Sequence, residues 1–144
     1  MLNFKNIHIG QMIKERIAES EMEISRLCNF LKCTEENLVE MYNAKSLDTE
    51  SLLKWSKILE YDFFRIYTQH LILYAPPSAE KVVKNQTTQL PQFRKNIYTK
   101  EIIDFVLEEL NSGNKTKKQI IEEYRIPKTT LYKWISKYRN LSNI

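Results

Sequence analysis

Residues 116–139, TKKQIIEEYRIPKTTLYKWISKYR, predict two short helices that are joined by a tight turn. Thr116 and Gln119 have the spacing of a capping box, so the first helix is expected to begin there. Pro127 interrupts the helical pattern, because it pushes Ile126 towards an extended conformation and lacks a backbone donor. Proline is well tolerated at the start of a helix, so a second helix is expected to follow directly.

The second of these helices has one apolar face and one polar, basic face. The residues at the spacing i, i+3, i+4 and i+7, which predicts burial, are Leu131, Trp134, Ile135 and Tyr138. The opposite face has the chemistry that insertion into a DNA major groove requires. The residues expected to contact base edges are Thr129, Thr130, Tyr132, Lys133 and Ser136. The residues expected to lie near phosphates are Lys117, Lys118, Lys128, Lys137 and Arg139.

Residues 99–140 resemble the helix-turn-helix of insertion-sequence transposases, a homeodomain-like unit of three helices. The most specific part is TTLYKW at 129–134, which resembles the start of the recognition helix in that family. The other matching pieces are Ile102, Ile103 and Val106, the turn at 111–113, and IIEEYRIP at 120–127. The resemblance implies a three-helix fold and DNA binding for this part of the chain.

The N-terminal half predicts five helices, at about 9–20, 23–31, 35–43, from 49 onwards, and 63–74. Thr34, Asp48 or Thr49, and Asp62 are suitable N-caps for the last three. The order and spacing of the helices resemble a Cro/lambda-repressor (XRE) type helix-turn-helix domain. The matching residues are Ile13, Ile17, Leu27, Cys28, Leu31, Thr34, Leu38 and the run LLKWSKIL at 52–59.

This N-terminal half departs from the XRE pattern in two places. Its recognition helix would begin with Glu35, Glu36 and Asn37, and Glu40 shares the same face. Ala44 stands where that family usually has glycine. A carboxylate can accept a hydrogen bond from cytosine, but three carboxylates together repel phosphates. DNA contact by this half, dimerisation and docking of a partner protein therefore all remain open.

The two halves of the chain differ in charge. Residues 1–75 contain 9 Lys/Arg and 11 Asp/Glu, a net charge of −2. Residues 76–144 contain 13 Lys/Arg and 7 Asp/Glu, a net charge of +6. The asymmetry favours a nucleic-acid-binding surface in the C-terminal half over an ordinary mixed surface.

The composition favours an all-α, globular protein. Only two glycines and four prolines are present, and 28% of the residues are charged. Neither an apolar stretch of membrane-spanning length nor a signal-peptide core is visible, so a cytoplasmic, nucleoid-associated protein is expected. The expected organisation is an XRE-like domain at 1–75, a basic, proline-containing linker at 76–98, and the transposase-like domain at 99–144.

The fifth predicted helix has apolar residues almost all round, more than one side of a small domain usually buries. A homodimer through this helix is therefore expected, although the helix also completes the five-helix core. The residues assigned to the interface are Phe63, Phe64, Tyr67, Leu71 and Tyr74.

No catalytic, cofactor or metal site is expected. Cys28 and Cys33 are not spaced as zinc ligands, and neither His8 nor His70 complements them. Gly-rich phosphate loops, nucleophile elbows and HExxH motifs are absent from the sequence. Three hypotheses remain: a bacterial transcriptional regulator, a non-catalytic DNA-targeting subunit of a mobile element, or an adaptor that binds a protein through its acidic half.

Overall fold

The computed structural model describes residues 2–75, 89–91 and 98–138 of the chain. Within these ranges the protein is all-α, which confirms the predicted fold class. The helices are α1 (Ile9–Ser20), α2 (Ile24–Leu31), α3 (Glu35–Asn43), α4 (Thr49–Ile58), α5 (Phe64–Tyr74), α6 (Lys100–Asn111), α7 (Lys117–Tyr124) and α8 (Lys128–Tyr138). None of these helices has the length and apolar character that a membrane crossing needs.

Polar side chains begin the helices of the N-terminal half where the sequence predicts them. Thr34 Oγ1 accepts from the N–H of Asn37 at 3.3 Å, and Asp48 Oδ1 accepts from the N–H of Ser51 at 2.8 Å. Asp62 Oδ1 accepts from the N–H of Arg65 at 3.3 Å. Each oxygen satisfies a backbone donor that has no partner within the helix, which sets the starting residue.

The chain folds into two compact units, Met1–Thr68 and Gln69–Ile144. The boundary therefore falls inside α5, before the expected boundary at residue 75. The linker predicted at 76–98 lies largely outside the described residues.

The first unit is built on one hydrophobic core. Its fully or nearly fully buried residues are Ile9, Ile13, Leu27, Leu38, Leu52, Trp55, Leu59, Phe63 and Ile66. They come from all five helices and the turn before α5, so burial of apolar surface unites the elements. The indole N–H of Trp55, the largest of them, lies 3.2 Å from the sulfur of Met41 on α3.

The start of α1 lies directly against the end of α3. The N–H groups of Ile9 and Gly10 donate to the carbonyls of Lys45 and Ala44, both at 3.1 Å. These bonds satisfy free donors at a helix N-terminus with carbonyls just beyond a helix C-terminus. This close approach of α1 to the end of α3 requires glycine at position 10, because a Cβ there would lie 2.3 Å from the Met41 carbonyl oxygen.

The second unit contains the C-terminal part of α5 as well as α6, α7 and α8. Its buried apolar residues are Leu73, Ile102, Val106, Ile120, Tyr124, Ile126, Leu131 and Trp134. Gln69 on α5 is also buried, and its Oε1 accepts a hydrogen bond from Thr99 Oγ1 at 2.8 Å. Thr99 is the N-cap of α6 but makes no capping bond with its side chain. Its hydroxyl instead links α6 to α5.

Candidate nucleic-acid interface

Helices α7 and α8 are joined by a three-residue turn, 125–127, as the proline signal predicts. The capping box at Thr116 and Gln119 is present in both directions, at 3.2 and 2.9 Å. Arg125 adopts the left-handed conformation with φ 53°, which reverses the chain. Ile126 is buried, and the carbonyl of Pro127 accepts the N–H of Leu131 at 3.0 Å to begin α8.

The apolar face of α8 is packed against the rest of the second unit. Leu131 is fully buried and Trp134 is 8% exposed, whereas Ile135 and Tyr138 are half-buried. Trp134 also meets the ring of Tyr98 edge to face at a centroid distance of 4.9 Å. The predicted face is thus the buried one, and its packing fixes which side of α8 faces outward.

The residues predicted to contact bases do not all lie on the outward side. Thr129, Tyr132, Lys133 and Ser136 are exposed, in agreement with the predicted face. Thr130 is half-buried, so its side chain is less accessible than those of the other four. The structure does not describe Arg139, whose predicted phosphate contact lies outside the described residues.

The predicted phosphate-contacting lysines differ in their electrostatic surroundings. Lys117, Lys118, Lys128 and Lys137 are all exposed. Lys118 Nζ lies 3.9 Å from the Glu122 carboxylate, whereas Lys117, Lys128 and Lys137 form no ion pair with any carboxylate of the described residues. Lys133 also forms no ion pair with any carboxylate of the described residues. The outward side of α8 and the start of α7 thus carry cations that no described acid neutralises.

Two of these cations, Lys117 and Lys128, lie near the ring of Tyr132. Lys117 Nζ lies 5.1 Å from the centroid of its ring, and Lys128 Nζ lies 5.7 Å from the same centroid. Lys117 begins α7 and Lys128 begins α8, so the ring joins the starts of two helices. The Lys128–Tyr132 spacing of i, i+4 is visible in the sequence, but the contact with Lys117 depends on the tertiary fold.

The half-buried Tyr74 of α5 contacts the buried Tyr124 of α7, a pair that the sequence does not indicate. The rings of Tyr74 and Tyr124 meet edge to face at a centroid distance of 6.0 Å. Burial, reinforced by Tyr74 and Glu109, raises the pKa of Tyr124 well above its usual range, so the hydroxyl stays protonated. Lys115 pairs with Glu123 and lies 5.5 Å from the Tyr124 ring centroid. The contact between Tyr74 and Tyr124 links residues that are distant in sequence, so no periodic pattern indicates it.

The helix pair α2–α3 in the first unit resembles α7–α8 in the length of its first helix and in its turn. Helices α2 and α7 both contain 8 residues, and each is followed by a three-residue turn. Lys32 begins the first turn with φ 53°, the value that Arg125 has in the second. Ala44, which follows α3, has an extended backbone with φ −78°. This conformation does not require glycine.

The two helix pairs carry opposite charge at equivalent positions. Counted from the turn, Leu38 corresponds to Leu131, and both are buried. Glu35 corresponds to Lys128 and Glu40 to Lys133, and all four are exposed. The shared backbone geometry therefore presents an acidic surface on α3 and a basic surface on α8.

Comparison of the chain with protein-family models finds no match, and comparisons with curated proteins and with solved structures also find none.

The five residues assigned to a dimer interface have different environments. Phe63 is 1% exposed and belongs to the core of the first unit, so it is not available to a second chain. Phe64 and Tyr67 pack against the same core. Tyr74 is half-buried against Tyr124, whereas Leu71 is 61% exposed. The apolar residues around α5 are explained largely by packing, because the helix contributes to both units.

The cysteines have no metal-binding partners within the described residues, where no group of three or more potential ligands occurs. Cys28 and Cys33 are free and half-buried on α2 and its turn. Burial, and then the neighbouring Cys28 thiol, raise the pKa of Cys33. A raised pKa keeps a thiol protonated and unreactive, as a structural role requires.

Proposed function

We propose that the protein is a sequence-specific, double-stranded DNA-binding protein that acts as a bacterial transcriptional regulator. The observation that carries this proposal is the outward side of α8. There Thr129, Lys133 and Ser136 are exposed, opposite the buried Leu131 and Trp134. A helix held by its apolar face, with hydroxyl and ammonium groups on the other, presents the donors that base edges in the major groove accept.

The charge around α8 supports the same function. Lysines that no described carboxylate neutralises flank the proposed base-contacting residues, at Lys117, Lys128 and Lys137. Such cations attract the phosphate backbone and release its counterions, which supplies affinity without regard to sequence. Base specificity then depends on Lys133 and the neighbouring hydroxyls.

The test is a selection of bound DNA from a random pool with the full-length protein, followed by titrations of the selected and a scrambled duplex. We expect an enriched motif, tighter binding to the selected duplex, and an affinity that falls steeply as salt rises. Failure to bind either duplex at low salt would contradict the proposal. Equal binding to both duplexes would show that the protein binds DNA without sequence specificity.

The first unit favours a second role, the recruitment of a partner protein. Its equivalent helix α3 exposes Glu35, Glu36 and Glu40, which would repel DNA phosphates, and Val39 between them is 54% exposed. Full-length protein with Glu36→Gln and Glu40→Gln should retain DNA binding and lose any partner that this surface binds. A variant that instead loses DNA affinity would show that α3 contributes to DNA contact.

A DNA-targeting subunit of a mobile element would use the same DNA-binding surface. The two roles differ in the target, because a transposition subunit binds the terminal repeats of its element and a regulator binds promoters. Mapping bound sites across the genome distinguishes them. Sites confined to repeated element ends would contradict the regulatory role.

A further inference from the structure

The exposed ring of Tyr132 has an environment that base contact does not explain. It is 44% exposed, and two ammonium groups, from Lys117 and Lys128, approach its centroid to within 5.1 and 5.7 Å. An ammonium near an aromatic ring is attracted by the ring quadrupole. The two cations repel each other, yet both lie near one side chain and neither is paired with a described carboxylate. An anionic ligand would relieve that repulsion.

The corresponding positions of the first unit show that the helix-pair geometry does not by itself require this cluster. Counted from the turn, Ile24 takes the place of Lys117, Glu35 that of Lys128, and Val39 that of Tyr132. All three are exposed. In the first unit a helix pair with a turn of the same length thus forms without the ring or either lysine, so this turn does not require them.

We infer that Tyr132 is a positioning residue, which holds Lys117 and Lys128 against the DNA phosphate backbone and does not itself contact base edges. This inference rests on the proposed DNA-binding function and refines it. A free lysine loses considerable side-chain entropy when it binds a phosphate. The ring reduces that loss by restricting both lysines before DNA arrives. Base discrimination is then left to Thr129, Lys133 and Ser136.

The experiment compares Tyr132→Phe, which keeps the ring, with Tyr132→Leu, which keeps an apolar side chain without a ring. Both are made in the full-length protein, alone and combined with Lys117→Ala. Lys118→Ala is the matched control, since Lys118 is adjacent and exposed but paired with Glu122. Affinity is measured for a selected and a scrambled duplex at several salt concentrations.

We expect Tyr132→Phe to bind both duplexes as the unmodified protein does. Tyr132→Leu should bind both duplexes roughly two- to tenfold more weakly, with their affinity ratio unchanged. The effect of Tyr132→Leu should shrink when Lys117 is already alanine and persist when Lys118 is alanine, because Lys117 lies at the ring and Lys118 does not. A changed affinity ratio for Tyr132→Phe would show that the hydroxyl contacts a base and would overturn the inference. Full additivity of Tyr132→Leu with Lys117→Ala would overturn it as well.

A measurement without DNA separates this inference from the proposed function. Ring currents should shift the side-chain methylene proton resonances of Lys117 and Lys128, and Tyr132→Leu should abolish the shifts while Tyr132→Phe retains them. If the shifts are present but the protein binds no DNA, the proposed function is wrong. The proposal that DNA phosphates bind the two lysines is then wrong as well. DNA binding without these shifts would overturn only the role assigned to Tyr132.

Discussion

At the scale of single residues, backbone geometry decides the effect of a substitution more than chemical similarity does. Gly10 and Arg125 are two examples, the first a glycine inside a helix and the second an arginine in the left-handed conformation. Glycine inside a helix is ordinarily unfavourable, yet Gly10 is needed for a close approach. Arginine is unfavourable in the left-handed conformation, yet Arg125 adopts it at the turn before α8.

Gly10→Ala should destabilise the protein, although the same change in an exposed helix stabilises it by about 1 kcal/mol. The new Cβ would lie 2.3, 2.5 and 2.6 Å from the carbonyl oxygens of Met41, Tyr42 and Ala44, which are backbone atoms and cannot rotate away. We expect a loss of about 1–3 kcal/mol in the free energy of unfolding, measured by chemical denaturation. Gln11→Ala, at the exposed neighbour in the same turn, should change stability little. An increase in stability for Gly10→Ala would contradict the observed packing of α1 on α3.

Arg125→Gly should make the second unit more stable than Arg125→Ala does. Both variants remove the charge, but only glycine adopts φ 53° without a steric penalty, so the difference isolates the backbone. We expect a difference of about 1 kcal/mol in the free energy of unfolding. Equal stability of the two variants would indicate that residue 125 is not held in the left-handed conformation.

At the scale of elements, α8 places its packing residues and its exposed polar residues on opposite faces. Its buried face packs through Leu131 and Trp134, so substitutions on the exposed face should alter binding without unfolding the unit. The same separation occurs in α3, where Leu38 is buried and Glu40 exposed. Two helices that follow turns of the same length can therefore expose surfaces of opposite charge.

Lys133→Ala and Lys137→Ala should reduce DNA binding in different ways. Lys133 lies in the middle of the exposed face and can donate to guanine O6 and N7, whereas Lys137 lies in the last turn, where phosphates are nearer. Lys133→Ala should cost roughly 1–3 kcal/mol on the preferred site and relax its preference at one or two base pairs. Lys137→Ala should weaken all sequences about equally and lower the salt slope by about one. If Lys133→Ala weakens selected and scrambled duplexes by the same factor, Lys133 is only a phosphate contact.

At the scale of the whole molecule, the homodimer expected from the sequence would determine how many DNA-binding surfaces act together. Dimerisation would let two DNA-binding surfaces act at high effective concentration on one target. Of the five residues assigned to the interface, Phe63 is buried in the core and Leu71 alone is well exposed. The prediction therefore rests on Leu71.

Leu71→Glu should convert a dimer of the full-length protein into a monomer, because a carboxylate would be buried without a partner in the interface. Sedimentation at micromolar concentrations measures the change. Leu53→Glu is the control, since Leu53 is also an exposed leucine, on α4. A monomeric unmodified protein would contradict the dimer, and dissociation by Leu53→Glu alone would place the interface elsewhere.

The sequence by itself determined the helices and the turn before α8. Capping at Thr34, Asp48 and Thr116, the break at Pro127, and the apolar spacing of Leu131 and Trp134 all depend on groups within a few residues of one another. Such short-range interactions are written directly in the order of the residues. The same holds for the outward side of α8, since burying one face of a regular helix leaves the opposite face exposed.

Only the tertiary structure decided how these elements use their side chains. The sequence could not indicate that Phe63 would be buried, that Gly10 would meet the end of α3, or that Gln69 would bind Thr99. Nor could it place Lys117 beside Tyr132. Each of these contacts joins residues that are far apart along the chain, or depends on which face a neighbouring helix covers. Their free energy arises only when the helices pack, so no local pattern of residues contains it.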